Sequence, residues 1–215
     1  MLIARITQSP PKSWLKNFIS IETLEIRECS QLVSLPEGFK SLSSLQRLTI
    51  ERCAELDLDI ARSEWEGLKH LRFLTIKEIP KLKSLPWDVT SLEELELNEC
   101  TALTSLPESI GNLTSLKKIV ICNCRKLKSL PKGIEKLKLL DSLIITDCPL
   151  LRPRSPPETG DDWPQIRHVS DILLKQSSQD LTELWSYGRT GLEKGNTTTL
   201  EMQRDLVSKL THKSF

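Results

Sequence analysis

Apolar residues return along most of this chain with a period near 24 residues, and each period repeats the same internal spacing. Taking Ile21, Leu45, Leu71, Leu92, Leu116 and Leu140 as starts gives steps of 24, 26, 21, 24 and 24. Three residues after each start stand Leu24, Leu48, Leu74, Leu95, Ile119 and Leu143. Five after stand Ile26, Ile50, Ile76, Leu97, Ile121 and Ile145. Eight after stand Cys29, Cys53, Ile79, Cys100, Cys124 and Cys148, and eleven after stand Leu32, Leu56, Leu82, Leu103, Leu127 and Leu151. All these positions are apolar or cysteine, although only 38% of the chain is hydrophobic. The fourth and sixth residues of each period alternate with polar ones, which predicts a short strand with one buried face.

A single coil of chain cannot bury its own leucines. Stacked coils can, because they lay strand beside strand about 4.8 Å apart in one parallel sheet. Each leucine buried this way stabilises by roughly 1.5–3 kcal/mol. A second motif follows the strand: SLPEGF at 34–39, SLPWDV at 84–89, SLPESI at 105–110 and SLPKGI at 129–134. Its proline holds an extended backbone and stops a strand or helix from continuing. Phe39, Val89, Ile110 and Ile134 then turn inward again. The pattern L-x-x-L-x-L-x-x-C-x-x-L is that of a leucine-rich repeat. The expected fold is an α/β solenoid: a leucine-rich-repeat arc with a parallel concave sheet, an irregular or 3₁₀ convex side, and a helical or disordered C-terminal tail.

Residues 1–20 read as a partial repeat, 21–151 as six repeats, 152–172 as a closing segment and 173–215 as a tail. LDIARSEWEG at 58–67 replaces the proline motif and predicts a bulge or short helix. Beyond Val169 the period lapses, and 170–198 reads as polar with a short helix around 181–185. TTLEMQRDLVSKL predicts a helix over 199–211, with Thr198 and Glu201 as a capping box and Leu200, Leu206, Val207 and Leu210 on one face.

Charge adds little. Thirty Lys and Arg nearly balance 29 Asp and Glu, which gives no electrostatic case for a nucleic-acid partner. The lysine-rich stretch CRKLKSLPKGIEKLK at 124–138 places its charges between buried leucines, as a solvated outer face requires. No stretch approaches the ~20 apolar residues of a membrane span, and the first residues, MLIARITQSPPKSW, lack a signal-peptide core. A cytoplasmic or nuclear protein with reduced thiols is expected.

Cys29, Cys53, Cys100, Cys124 and Cys148 read as structural thiols at the coil's corner, each able to donate weakly to a backbone carbonyl. Ile79 in the same slot argues against a bridge or a metal there. Cys122 is out of phase, but a nucleophile needs an activating base, and His70, His168 and His212 occupy no suggestive place. No catalytic residue, cofactor or metal is expected, and no G-x-x-x-x-G-K-[ST] loop is present.

Between the buried strand positions lie three concave columns. They are Thr23, Arg47, Phe73, Glu94, Lys118, Ser142; Glu25, Thr49, Thr75, Glu96, Val120, Ile144; and Arg27, Glu51, Lys77, Asn98, Cys122, Thr146. Arg27, Glu51 and Lys77 form a row of alternating charge. The surface turns apolar at Val120, Cys122 and Ile144. With Phe73, Glu94, Glu96 and Lys118 these residues are the candidate protein-binding site; the other readings are ordinary surface scatter or a patch covered by the tail.

Cysteine rather than asparagine, in CxxLxSLPxxIxxLxxLxxLxI, resembles the C-terminal repeats of plant intracellular nucleotide-binding immune receptors of the coiled-coil type. The resemblance covers roughly residues 9–151. CPLLRPRSPPETGDDWPQIRHV at 148–169 is similar to the segment that closes the repeats in many such receptors, and WEGLKHLRFLTIKEIPKLKSLP at 65–86 is also typical of them. The resemblance implies a role in pathogen recognition and defence signalling. It implies a protein partner, namely a pathogen effector, a guarded host protein or an immune-receptor domain, or else a part in holding a receptor inactive. The chain itself looks like a truncated receptor; a free-standing scaffold or adaptor and a non-functional gene fragment are the alternatives.

Overall fold

The computed structural model describes residues 3–7, 15, 20–36, 38–58, 62–83, 85, 89–151, 158–175 and 185–187. Its strands are β1 (Ile3–Ile6), β2 (Thr23–Arg27), β3 (Arg47–Glu51), β4 (Phe73–Lys77), β5 (Glu94–Asn98), β6 (Lys118–Cys122), β7 (Ser142–Thr146), β8 (Asp171–Lys175) and β9 (Trp185–Tyr187). They form one sheet in chain order, with β1 to β8 parallel and β9 antiparallel on the edge of β8. Equivalent residues of successive repeats pair directly, Leu48 with Leu74 and Leu95 with Ile119 among them. A slip of one residue would turn every leucine out of the core, so the hydrophobic pattern enforces this register.

Strands β2 to β7 end at the same strained corner. Glu28, Arg52, Glu78, Glu99, Asn123 and Asp147 all take left-handed backbone, with φ between 52° and 57°. Such a conformation costs an L-residue roughly 1–2 kcal/mol. The corner aims the N–H of each at the last carbonyl of the next strand: Glu28 to Glu51 at 2.9 Å, Glu99 to Cys122 at 3.0 Å, Asp147 to Lys175 at 3.0 Å. The strain is thus repaid by a bond between coils.

Past the corner the chain drops into the core at the cysteine, and the leucine three residues on donates back to it, as Leu103 does to Cys100 at 3.1 Å. Pro107 and Pro131 then hold extended backbone before 3₁₀ turns at Glu108–Asn112 and Lys132–Lys136; a third turn spans Phe39–Ser41. These turns stack tightly. The Glu108 carboxylate accepts from the N–H groups of Lys132 (3.3 Å) and Gly133 (2.9 Å) in the next coil. A Cβ on Gly133 would lie 2.3 Å from the Glu108 carbonyl oxygen, so only glycine permits this approach.

Where the proline motif is missing, a short helix α1 (Arg62–Trp65) takes the place of the turn, as the sequence suggested. It buries Trp65 against Phe39, ring centroids 6.2 Å apart. The second helix, α2 (Trp163–Ile166), lies on the Lys132–Lys136 turn and seats Ile166 in the core. Buried Asp162 just before it accepts the Leu130 N–H at 3.2 Å.

The sheet extends further than the repeat count suggests. β8 continues it in register, so a division at 172 falls inside a strand. The signal is present but displaced: Val169, Ile172 and Leu174 keep the buried spacing after a longer step from Leu140, and all three are buried. At the other edge Ala4 and Ile6 fill the equivalent places in β1, within the segment read as a partial repeat. Trp185, included in the short helix expected around 181–185, begins β9 instead. The helix expected over 199–211 lies outside the described residues.

Two substitutions test the packing. Leu95, 1% exposed, faces the core and Glu96 the concave side. Leu95→Asp should cost more than about 4 kcal/mol by burying an unpaired charge. Glu96→Ala should cost under about 1 kcal/mol. Equal loss of unfolding free energy in the two variants would contradict this strand phase. Gly133→Ala should lower stability by about 2 kcal/mol or more, since the clash is with backbone; a thermal melt like that of the wild type would refute the stacked-turn geometry.

Candidate functional site

The strands place the three concave columns as the alternation requires. In the middle column Glu25, Thr49, Thr75, Glu96, Val120, Ile144 and Leu173 lie side by side across β2 to β8. The face has two chemically distinct ends.

From β1 to β5 it carries interleaved charge. Arg5 and Arg27 meet Glu25 at 3.0 and 3.1 Å, and Arg27 also meets Glu51. Arg52 joins Glu51 (3.4 Å), Glu78 (2.9 Å) and Glu28 (3.5 Å). Lys77 does not complete the row Arg27–Glu51–Lys77 but reaches diagonally to Glu96 at 2.8 Å, where the Thr75 hydroxyl also donates at 3.3 Å. The Phe73 ring sits under the Arg47 guanidinium, 3.9 Å from its centroid, with Arg72 at 5.5 Å. One position upstream of the strands, Glu93 takes both Arg72 (2.5 Å) and Lys117 (2.9 Å). Their hydrogen bonds hold its carboxyl down at about 2, so it stays ionised. This trio escaped the column analysis because it precedes the alternating stretch.

From β6 to β8 the face is apolar. Val120, Ile144 and Leu173 form a cluster apart from the main core, with Cys122 packed against it. They are 5%, 5% and 3% exposed, so the expected patch is a buried one. Leu173 belongs to it and was missed, because its strand was not recognised. Lys118 is half-buried and Glu94 exposed, both in the first column with Phe73.

The corner cysteines make a ladder between coils. Cys29 Sγ lies 3.7 Å from the Ile6 carbonyl oxygen, Cys53 4.0 Å from that of Ile26, Cys100 3.8 Å from Ile76, Cys124 3.9 Å from Leu97 and Cys148 3.8 Å from Ile121. Each acceptor is the sixth residue of the preceding coil. Burial pushes the Cys53 thiol up to about 11. The hydrogen bond with Cys100, aided by burial, pushes Cys124 to about 12, and Cys148 is raised through Cys124. Burial also carries Cys122 to about 11, the reverse of what a nucleophile needs. His70 and His168 hydrogen-bond to the Ser43 and Leu137 carbonyls, at 2.8 and 3.1 Å, on the return side of the coils. Among the described residues no group of three or more His, Cys, Asp or Glu could hold a metal ion. No described helix is long and apolar enough to cross a membrane.

Lys126, Lys128, Lys132, Lys136 and Lys138 are all exposed, as a solvated outer face implies. Lys136 and Lys138, with Glu135, Pro164, Arg167 and His168, line a cleft of about 450 Å³ between the last 3₁₀ turn and α2.

Asp171, at the start of β8, offers a pH test. Burial raises its pKa, against the Ser142 hydroxyl (3.5 Å) and Lys118, which lower it. A carboxyl raised on folding favours the fold when protonated, and that contribution is lost as pH rises through its folded pKa. Asp171→Asn should therefore be more stable than wild type at pH 7, with the gap closing as the pH falls to ~4 and below. Denaturant unfolding at both pH values measures it; a gap that widens in acid would contradict the assignment.

No family model matches the chain. Over 101 residues, 47% of its length, it is 36% identical to the Arabidopsis thaliana protein SUPPRESSOR OF npr1-1, CONSTITUTIVE 1. It is also 37% identical over 84 residues, 34% of the chain, to the probable disease resistance protein RPP1 of the same plant. The chain spans 7% of the length of each of these relatives. Neither match supports the coiled-coil subtype expected from the sequence. Among solved structures, the leucine-rich repeat domain of the type III effector XopL superposes with a TM-score of 0.54 at 24% identity, over 75% of this chain and 55% of that one. TLR13 in its complex with ssRNA13 gives 0.53 at 21% identity, over 83% of this chain and 29% of that one. At such identities these two structures speak for the fold alone. The chain is a leucine-rich-repeat solenoid whose repeats are related to segments of plant disease resistance proteins.

Proposed function

We propose that this chain is a protein-recognition module of plant innate immunity. It binds through the concave face and performs no catalysis. The observation that carries this reading is the polar end of that face, where Phe73 lies between Arg47 and Arg72 beside exposed Glu94 and half-buried Lys118. A stiff sheet holds these side chains at fixed spacing, and an aromatic ring flanked by arginines suits the centre of a protein interface. The similarity to disease resistance proteins supports the immune reading, and an intracellular location is part of this proposal. The partner classes are a pathogen effector, a guarded host protein or a domain of an immune receptor. Association with a receptor domain would hold that receptor inactive. Glu96, Val120, Cys122 and Ile144 extend the face beyond this centre.

The test is association and defence output in leaf tissue, with the chain co-expressed beside a nucleotide-binding receptor. Phe73→Ala and Lys118→Glu should each weaken the association about tenfold or more and alter the cell-death response. Lys126→Glu, on the outer face, should change neither. Indistinguishable binding and output for all three would overturn the reading.

A further inference from the structure

Cations beside the sheet are largely matched: Arg27, Arg52, Arg72, Lys77 and Lys117 each meet a carboxylate. The cleft between the Lys132–Lys136 turn and α2 departs from that habit. Lys136, Lys138 and Arg167 line it together with His168. All three cations are exposed, and among the described residues none of them is paired with a carboxylate. Lys138 donates instead to the backbone carbonyl of Glu135 at 2.8 Å. The Glu135 side chain is the one acid on the lining, so three cations stand against one carboxylate. Glu108, from the preceding coil, spends its carboxylate on the backbone N–H groups of Lys132 and Gly133.

A solvated outer face accounts for the lysines of the repeats, but Arg167 and His168 come from a different element and are held against them. Asp162, just before α2, accepts the Leu130 N–H at 3.2 Å. Past the other end of α2, His168 Nε2 donates to the Leu137 carbonyl at 3.1 Å. Ile166 between them is seated in the core, and the Arg167 N–H is bonded to the Trp163 carbonyl at 3.0 Å. Both walls of the cleft are thus fixed before a ligand arrives, which lowers the entropy lost on binding. Like charges gathered in a cleft repel one another and focus their field into it, and a bound anion relieves the repulsion.

Volume and lining narrow the ligand. At about 450 Å³ the cleft is of small-molecule size. Pro164 is the one apolar residue on its lining, which gives an apolar ligand little to bury against. A guanidinium grips two phosphate oxygens at once, and an ammonium acts as a point charge. We propose that the cleft binds a compact polyanion bearing two or more phosphates, with Arg167 taking one phosphate and Lys136 and Lys138 the next. The site lies on the return side and does not rest on the concave-face reading, so each stands or falls without the other.

The test is calorimetric titration of the full chain with sodium tripolyphosphate. Wild type should bind one tripolyphosphate per chain, less tightly as salt is raised. Arg167→Gln, and Lys136→Gln combined with Lys138→Gln, should each weaken binding about tenfold or more. Glu135→Gln should tighten it about twofold or more by removing the opposing carboxylate. Lys126→Gln, exposed outside the cleft, and Phe73→Ala, on the concave face, should leave it unchanged. All the substituted cleft residues are exposed, so melting temperatures should match wild type. No saturable binding to wild type would overturn the proposal. So would equal losses in Lys126→Gln and Arg167→Gln, the mark of diffuse charge attraction without a site. Where tripolyphosphate binds, sedimentation with phosphatidylcholine vesicles containing phosphatidylinositol bisphosphate decides the source. Chain carried down with the vesicles, and released by tripolyphosphate, assigns the phosphates to a lipid headgroup; chain left in the supernatant assigns them to a soluble phosphate ester.

Discussion

The in-register stacking of one coil on the next is the constraint from which this molecule follows. A five-residue strand with two inward side chains has no stability of its own. It becomes part of a core only when the preceding and following coils present the same two positions at the same height. That demand fixes the return path, and the corner after each strand shows how strictly. Six non-glycine residues accept left-handed backbone at equivalent places, because only that geometry lets the corner N–H reach the next strand's last carbonyl. The cysteine after the corner adds a second, weaker contact in the opposite sense, back to the coil before. A small, polarizable side chain suits a place that must be apolar yet face a carbonyl. Burial and neighbouring thiols keep Cys53 and Cys124 protonated, so the ladder is chemically quiet.

Because stacking settles the inward positions, it leaves the outward ones free. Residues two apart on a strand and equivalent residues on adjacent strands become neighbours on one continuous surface, however far apart they lie in the chain. Most charges on the first half of that surface are already paired with one another. Exposed pairs of this kind add little stability. Their effect is to hold long side chains in place, so that a ligand meets a preset pattern and loses less entropy on binding.

Much of this was legible in the sequence, for a physical reason. A buried position tolerates few residues, so repetition of apolar side chains at fixed spacing betrays the core directly; even Ile79 among the cysteines marks its slot correctly. The strand phase, the 3₁₀ turns after proline and the short helix at 62–65 come from the same logic. What escaped detection depended on irregular steps or on side-chain reach. β8 follows a longer connection, so its Val169-Ile172-Leu174 spacing fell outside the period, and Leu173 went unnoticed with it. Lys77 was expected to continue a row across strands, but a lysine's length lets it choose the diagonal carboxylate. Burial of Val120 and Ile144 could not be read from alternation, which says which face a residue is on and nothing about what lies over that face.

That last distinction governs how the site should be understood. A solenoid has no closed pocket to define its ligand; its specificity lies in which columns of an open sheet are available. Here the polar columns of β2 to β5 and the apolar cluster of β6 to β8 present different kinds of surface. Charged and aromatic groups in partial contact with water can recognise a partner and release it. An aliphatic cluster excluded from water instead adds to stability, by roughly 25 cal/mol per Å² of apolar surface buried. The division of the face into a partly exposed charged half and a buried aliphatic half therefore places the groups that a partner can reach on β2 to β5.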